Sequence, residues 1–208
     1  MYAALRRLLH PAAVLSLALW ALPAWAQGDA ASTGLAEAQR DHLWRVAAWG
    51  AANVALGTAL LTTSAKAERP AQHGFGLQSA AWGAINVGIA AVGLSTGGDA
   101  TPLALAEAIR AENGYADVLL VNLGLNVGYA GVGAALVAVS HRAGIESAQT
   151  RGALRGHGWA LVLQGAGLFV LDGVAWLGSR ARLDGLLDFL GTSALAVEPH
   201  GVSLVISL

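Results

Sequence analysis

The chain has 208 residues, of which 55% are hydrophobic and only 12% are charged, against about 25% charged residues in an average soluble domain. This composition is typical of a membrane protein, and the formal net charge of −1 gives no electrostatic basis for binding nucleic acid. The absence of cysteine excludes disulfides, iron–sulfur clusters, thiolate zinc sites and a cysteine nucleophile.

The amino terminus predicts a cleavable signal peptide over residues 1–26. Arg6 and Arg7 form its basic region, and residues 12–22 form its apolar region. Residues 24–26 then supply the small-x-small pattern that signal peptidase accepts. Because the apolar region is much shorter than the roughly 20 residues that cross a bilayer, we favour cleavage over an uncleaved anchor.

Four long apolar runs follow a polar periplasmic segment at residues 27–42. The runs are residues 46–64, 77–95, 118–140 and 159–177. At about 1.5 Å per residue, each run is roughly 28 to 35 Å long, which is close to the thickness of the bilayer hydrocarbon. The sequence therefore predicts an all-α membrane protein, a four-transmembrane-helix bundle over residues 43–182, with a periplasmic tail at residues 183–208.

Two short helices and a strand are predicted outside these spans. Thr101 and Pro102 are suited to the N-cap and first position of a short amphipathic helix on the outer surface. Residues 183–190 predict a second interfacial helix. Beyond it, residues 202–208 alternate in hydrophobicity, which predicts a strand, and pairing with residues 194–197 would make a hairpin.

The distribution of basic residues predicts the orientation. The loops at residues 65–76 and 141–158 contain Lys and Arg at a higher density than the remaining connections. The positive-inside rule places these two loops in the cytoplasm. We therefore expect a multi-pass protein of the bacterial inner membrane, in contact with the lipid bilayer, with both mature termini in the periplasm.

An internal repeat relates the first two spans. Residues 48–54 read AWGAANV and residues 81–87 read AWGAINV, so that six of seven positions are identical. Because consecutive spans run in opposite directions, the repeat predicts a local pseudo-two-fold axis in the membrane plane.

Six polar side chains are predicted to form a layer inside the bundle, because polar groups within hydrocarbon need hydrogen-bond partners. They are Asn53, Asn86, Asn122, Asn126, Gln164 and Asp172. Trp49 and Trp82 each precede an Asn of this layer by four residues, so we expect their indole N–H groups to donate inward on the same helix face.

Asp172 is the single acid within a predicted span. On insertion scales a carboxylate at this depth costs about 2.5 to 3.5 kcal/mol. One interpretation is structural: a protonated Asp172 donates to Asn126 or Asn122 and holds the third and fourth helices together. The other is functional: Asp172 is a proton, cation or ligand site.

Other motifs contribute less. Gly124 and Gly128 form a small-xxx-small motif that predicts close helix packing. The sequence contains no catalytic triad, paired carboxylates or phosphate-binding loop on a suitable element, so we predict a protein that is not an enzyme and binds no metal or cofactor. The histidines after the signal peptide are neither paired at helical spacing nor within a predicted span; they are His42, His73, His141, His157 and His200.

Several of these motifs together resemble an uncharacterised bacterial family of exported membrane proteins, a domain of unknown function. They are the Trp-Gly-Ala-x-Asn pair, residues 122–129, and residues 155–158 leading to Gln164 and Asp172. The resemblance covers about residues 45–208 and implies a four-span fold without implying a substrate. In the family the position of Asn126 is often Asp, so its replacement here disfavours a proton relay between two carboxylates.

Two functions fit this sequence. The first is a structural or accessory membrane protein, whose polar layer specifies helix pairing and which contacts itself or another membrane protein. The second is a small oligomeric transporter, channel or ligand-binding protein in which Asp172 is the site. A cavity that reaches Asp172 would favour the second function, and continuous close packing around its carboxyl group would favour the first.

Overall fold

The fold consists of four long helices followed by a hairpin. A computed structural model describes the backbone of residues 11–97, 102–198 and 201–206, and the side chains of residues 29–97 and 102–190. The helices are α1 (Pro11–Thr63), α2 (Pro70–Thr96), α3 (Leu105–Ser140) and α4 (Ala148–Thr192). The strands are β1 (Ser193–Glu198) and β2 (Gly201–Ile206).

All four helices are long and apolar enough to cross a membrane. The stretches that meet this condition are Asp29–Thr63, Pro70–Thr96, Leu105–Ser140 and Ala148–Leu190. They correspond in order to the four predicted spans. The helices are longer than the apolar runs because polar residues at both ends continue the same helix.

Helix α1 runs without a break through residues 27–42, which the sequence assigned to a separate polar segment. These residues include many Ala, Glu and Gln, which are good helix formers, and no proline. Polarity alone therefore did not mark the end of a helix. Of the predicted signal peptide, residues 1–10 lie outside the described part of the chain.

The two predicted interfacial helices are extensions of longer helices. Helix α3 begins at Leu105, with Ala104 as its N-cap, rather than at Pro102. The Glu107 carboxylate accepts a hydrogen bond from the Ala104 N–H at 3.4 Å, which satisfies one backbone donor at this end. Thr101, the predicted cap, lies outside the described residues. Residues 183–190, where the second interfacial helix was predicted, are the continuation of α4.

Close antiparallel contacts hold α1 against α2. A Cβ atom added at Gly50 would lie 2.7 Å from the Gly83 oxygen, and one added at Gly83 would lie 2.5 Å from the Gly50 oxygen. The neighbouring contacts are reciprocal as well, since Gly50 faces the Val87 nitrogen and Gly83 faces the Val54 nitrogen. These four residues are equivalent pairs of the sequence repeat, so the repeat does correspond to a local two-fold relation between α1 and α2.

Helices α3 and α4 form a second antiparallel pair, in which buried residues recur at every seventh position. Every seventh residue of α3 is buried: Glu112, Leu119, Asn126, Gly133 and Ser140. Every seventh residue of the facing side of α4 is also buried: Gly158, Gly165, Asp172, Ser179 and Leu186. A Cβ atom added at Gly158 would lie 2.6 Å from the Gly133 oxygen. This periodicity is that of helices that cross at a small angle.

Gly124 and Gly128, the small-xxx-small motif of α3, do not lie on the face of α3 that packs against α4. A Cβ atom added at Gly124 or Gly128 would meet nothing within 4 Å, so neither glycine packs closely against another helix in the described part of the chain; the predicted close packing named no partner and stays a prediction. The reason is geometric: both lie off the buried seven-residue face, which carries Gly133 instead.

The two helix pairs meet mainly through α2 and α4, whose amino-terminal halves run side by side. A Cβ atom added at Gly74 would lie 3.0 Å from the Ala153 oxygen. On the same side of the bundle, the Nδ1 atom of His157 lies 3.1 Å from the Oε1 atom of Gln78. Helix α1 also contacts α3 and α4, and these contacts complete the bundle.

The tail forms an antiparallel hairpin. Its register pairs Ser193 with Ile206 and Glu198 with Gly201. The two residues between the strands, Pro199 and His200, lie outside the described part. The hairpin lies where the alternating pattern predicted it.

Candidate functional site: a polar cavity between the helix pairs

Five of the six polar residues predicted to face inward are buried. Asn53, Asn86, Asn126, Gln164 and Asp172 expose between 2% and 4% of their surface. Asn122, one turn from Asn126, is partly buried and lines a cavity. The structure thus brings these side chains to the interior, although they do not form one continuous network.

Asp172 joins three helices. Its Oδ2 atom accepts a hydrogen bond from the Asn126 Nδ2 group at 2.6 Å, which links α4 to α3. Its Oδ1 atom lies 3.1 Å from the Nε2 atom of His42 on α1. Asp172 therefore accepts from Asn126, whereas the structural interpretation of the sequence had it donate as the protonated acid.

His42 is the site residue that the sequence analysis missed. It was assigned to a segment before the first span, but α1 carries it into the bundle, where only 9% of its surface is exposed. Its position could have been inferred from spacing, because His42, Val46, Trp49 and Asn53 follow one another at intervals of four, three and four along one helix face.

The two copies of the repeat have different partners. In α1 the Trp49 indole donates to the Oε1 atom of Gln164 at 3.0 Å, and the Asn53 amide donates to the Trp49 carbonyl at 2.8 Å. In α2 the Trp82 ring packs against the Tyr129 ring, with 4.8 Å between centroids. Trp49 therefore donates inward as predicted, while Trp82 makes a ring contact with α3.

A cavity of about 560 Å³ lies between the helix pairs and reaches the Asp172 side chain. All four helices line it. On α2 it extends from Trp82 to Thr96, and on α3 from Tyr115 to Tyr129. At about 1.5 Å per residue, it is about 20 Å long. His42, Asn86, Asn122 and Asn126 are among its polar lining residues.

Three residues that line this cavity carry buried polar atoms that have no partner in the described part of the chain. These atoms are Asn86 Nδ2, the Tyr115 hydroxyl and His42 Nδ1. Buried polar groups are nearly always hydrogen-bonded, so several such atoms around one cavity suggest a place for a bound molecule. The Asn86 Nδ2 group is a donor only, and the tyrosine hydroxyl can donate or accept.

A second buried acid lies nearby and is fully paired. Glu112 on α3 exposes 2% of its surface. Its Oε1 atom accepts from Arg182 Nη2 at 2.8 Å and from the Ser179 hydroxyl at 2.5 Å, and its Oε2 atom accepts from Arg182 Nε at 3.1 Å. This cluster holds α3 and α4 together, and the sequence analysis did not identify it.

The arrangement around Asp172 offers hydrogen-bonding groups and one ionisable pair inside apolar walls. Among the described residues, no three His, Asp or Glu side chains are grouped so that they could hold a metal ion. The site can therefore bind a molecule by hydrogen bonds and by the charge of Asp172 and His42.

Comparison with known proteins gives one match. No curated protein and no solved structure matches the chain. Residues 45–173, which make up more than half of the chain, match a family described as a family of unknown function, DUF6992. The matched region contains the repeat and ends one residue after Asp172. The chain therefore belongs to the DUF6992 family.

Proposed function

We propose that this chain is a multi-pass protein of the bacterial inner membrane that binds a small molecule or ion in the cavity at Asp172. Insertion is supported by the outward-facing apolar side chains of the helices, such as Val92, Val121 and Leu177, each of which exposes 63% of its surface. Exposed apolar surface of this extent marks contact with lipid or with another protein. The signal peptide pattern and the basic loops support the inner membrane.

The observation that carries the binding function is the cavity next to the carboxyl group of Asp172. A purely structural polar layer would be satisfied within the protein and closely packed, because voids and unpaired polar groups destabilise a fold. Here Asp172 lines an open cavity, and so does Asn86, whose buried Nδ2 group has no partner among the described residues. This arrangement favours a binding site over a layer that serves helix pairing alone.

A structural role is the second candidate, and one observation favours it. The Asp172 carboxylate contacts both Asn126 and His42, so it connects three helices. In this role the protein would be an accessory subunit that engages itself or another membrane protein through its outer surface. The two candidates differ in whether Asp172 can be reached and in whether its charge is required.

Accessibility can be tested with dicyclohexylcarbodiimide, an apolar reagent that modifies protonated carboxyl groups. The protein is reconstituted in lipid vesicles, treated at neutral and at acidic pH so that an ionised carboxylate is not mistaken for an inaccessible one, digested and examined by mass spectrometry. We expect modification of Asp172 and none of Glu112, which is equally buried but paired with Arg182 and outside the cavity lining. An unmodified Asp172 in the folded protein, with modification after denaturation, would contradict the binding function.

The Asp172→Asn variant tests the requirement for charge. Asn has nearly the same shape and can still accept a hydrogen bond from Asn126, so we expect its melting temperature to change little. If the site binds a proton or cation for transport, flux measured with a pH-sensitive dye in vesicles falls to the level of empty vesicles. Four spans are few for a transporter, so this version also predicts a homo-oligomer. Loss of folding, with no flux in either protein, would support the structural candidate.

A further inference from the structure

The cavity opens sideways between α2 and α3. The described residues of these two helices form no interface comparable with those of the other helix pairs, apart from the Trp82–Tyr129 contact at one end of the cavity. Ile89, Val118 and Leu125 line the cavity and yet expose 59%, 58% and 50% of their surface. The cavity wall is therefore continuous with the outer apolar surface along this seam between α2 and α3.

The interior of the cavity differs from the seam because it is polar. The internal repeat allows two polar residues to be compared, since Asn53 and Asn86 are equivalent residues on α1 and α2. The Asn53 Nδ2 group donates to the carbonyl of Trp49, whereas Asn86 lines the cavity and its buried Nδ2 group has no partner among the described residues. With the Tyr115 hydroxyl, it gives the cavity two groups that can donate hydrogen bonds to an oxygen atom of a bound molecule.

The charged groups that line the cavity disfavour an anionic occupant. No Lys or Arg belongs to its lining in the part of the chain described. Its acid is Asp172, which is already paired with His42 and hydrogen-bonded to Asn126. A phosphate would enter an apolar space beside a carboxylate without a cation of its own, which is strongly unfavourable.

We infer that the occupant of this cavity is an uncharged amphiphile that enters from the lipid through the seam between α2 and α3. Its carbonyl or hydroxyl oxygens accept hydrogen bonds from Asn86 and Tyr115, and its hydrocarbon part lies along Ile89, Val118 and Leu125. Two sources have this chemistry, a neutral glycerolipid and a quinone with an alkyl chain. The inference rests on the proposed binding function, and it names the class of ligand.

Fluorescence quenching of Trp82, which lines the cavity, measures occupancy directly. The protein is placed in phosphatidylcholine vesicles with one of three probes: a diacylglycerol with brominated chains, a decyl-substituted benzoquinone, or a phosphatidate with the same brominated chains. The Trp82→Phe variant identifies the contribution of Trp82. We expect half-maximal quenching at a lower mole fraction for at least one uncharged probe than for the phosphatidate, and the preferred probe shows the source. Equal quenching by all three would overturn the inference.

Two variants assign the contacts. Asn86→Leu and Tyr115→Phe each remove one donor, so each should raise the mole fraction for half-maximal quenching roughly 2- to 10-fold. Asn53→Leu is the matched control, because this residue is the repeat equivalent of Asn86 and lies outside the cavity lining. Tyr115→Phe keeps the ring, so it remains informative if Asn86→Leu does not fold. Equal effects of the Asn53 and Asn86 variants would contradict the assignment.

The two proposals can fail separately. If carbodiimide modifies Asp172 but no uncharged probe is preferred over the phosphatidate, the ligand class is wrong while the binding function stands. If Asp172 is also unreactive, both are wrong. A second copy of the chain in the seam would make Trp82 quenching depend on the protein-to-lipid ratio instead of the probe, and that result also overturns the inference.

Discussion

Asp172 and Glu112 are both buried acids on the interface of α3 and α4, but their surroundings differ. Glu112 accepts three hydrogen bonds, two from the Arg182 guanidinium and one from the Ser179 hydroxyl. Asp172 has an amide and an imidazole as partners and borders a cavity. The first arrangement surrounds the acid with donors from the protein itself, and the second leaves a carboxyl group beside open space.

The fully paired acid should matter for stability. Glu112→Gln removes the negative charge and leaves Arg182 without its partner, so we expect the free energy of unfolding to fall by about 3 kcal/mol. The measurement is thermal or denaturant unfolding in detergent. Asp117→Asn, a change at an exposed acid of the same helix, is the control and should have little effect. A Glu112 variant as stable as this control would contradict the role of the cluster.

At the scale of residues, the sequence predicts burial better than it predicts partners. The inward position of the Asn and Gln side chains follows from the need of polar groups for partners in an apolar environment. The bond between Trp49 and Gln164 could not be predicted, because it depends on how α1 crosses α4. His42 was missed for a different reason: it precedes the apolar run, and only the continuation of α1 brings it to Asp172.

At the scale of helices, glycine determines how closely two backbones approach. The interface of α1 and α2 brings the carbonyl oxygen of Gly50 to Gly83 and that of Gly83 to Gly50. A side chain at either position would have to displace backbone atoms of the partner helix. The repeated glycine is therefore required for the close approach of the two helix backbones.

A matched pair of glycine variants tests this requirement. Gly83→Val places a branched side chain against the backbone of α1, so we expect a loss of about 2 kcal/mol or more in the free energy of unfolding. Gly88→Val is the control, since a Cβ atom there would meet nothing within 4 Å. Both variants change the same residue type in the same helix, so unfolding in detergent compares them directly. Equal destabilisation by the two variants would show that helix propensity, rather than contact, is responsible.

The contacts of α3 and α4 involve a different face of α3 from the one that carries the Gly124 and Gly128 motif. The buried residues of α3 recur every seven positions, but they include Glu112, Leu119 and Gly133, which share neither size nor polarity. A hydrophobic pattern therefore does not reveal this face. The Gly124 and Gly128 motif was more conspicuous in the sequence, although both residues point away from α4.

At the scale of the whole molecule, the orientation can be measured with single cysteines, because the chain has none of its own. We expect Ala104→Cys, an exposed position just before α3, to react with a membrane-impermeant maleimide on intact spheroplasts. Ala143→Cys, in the connection between α3 and α4, should react only after the membrane is permeabilised. The reverse pattern would mean that the basic loops lie outside, against the positive-inside rule.

The four helices and their order were predictable from four apolar runs of suitable length, because hydrocarbon thickness sets the length of a spanning helix. The ends of the helices were not, since the polar residues 27–42 and residues 183–190, which include two Asp and a Gly, are nevertheless helical. The cavity could not be predicted either. It depends on the absence of close packing between α2 and α3, and no local pattern in the sequence specifies such an absence.

The seam between α2 and α3 also affects how the molecule can move. The two helix pairs are closely packed where α2 meets α4, and beyond the Trp82–Tyr129 contact nothing comparable joins α2 to α3. A rotation of one pair about this contact would change the width of the seam while leaving the glycine contacts within each pair intact. We therefore expect the thickness and lateral pressure of the surrounding bilayer to set how wide the entrance is, so that the membrane itself would regulate access to the interior.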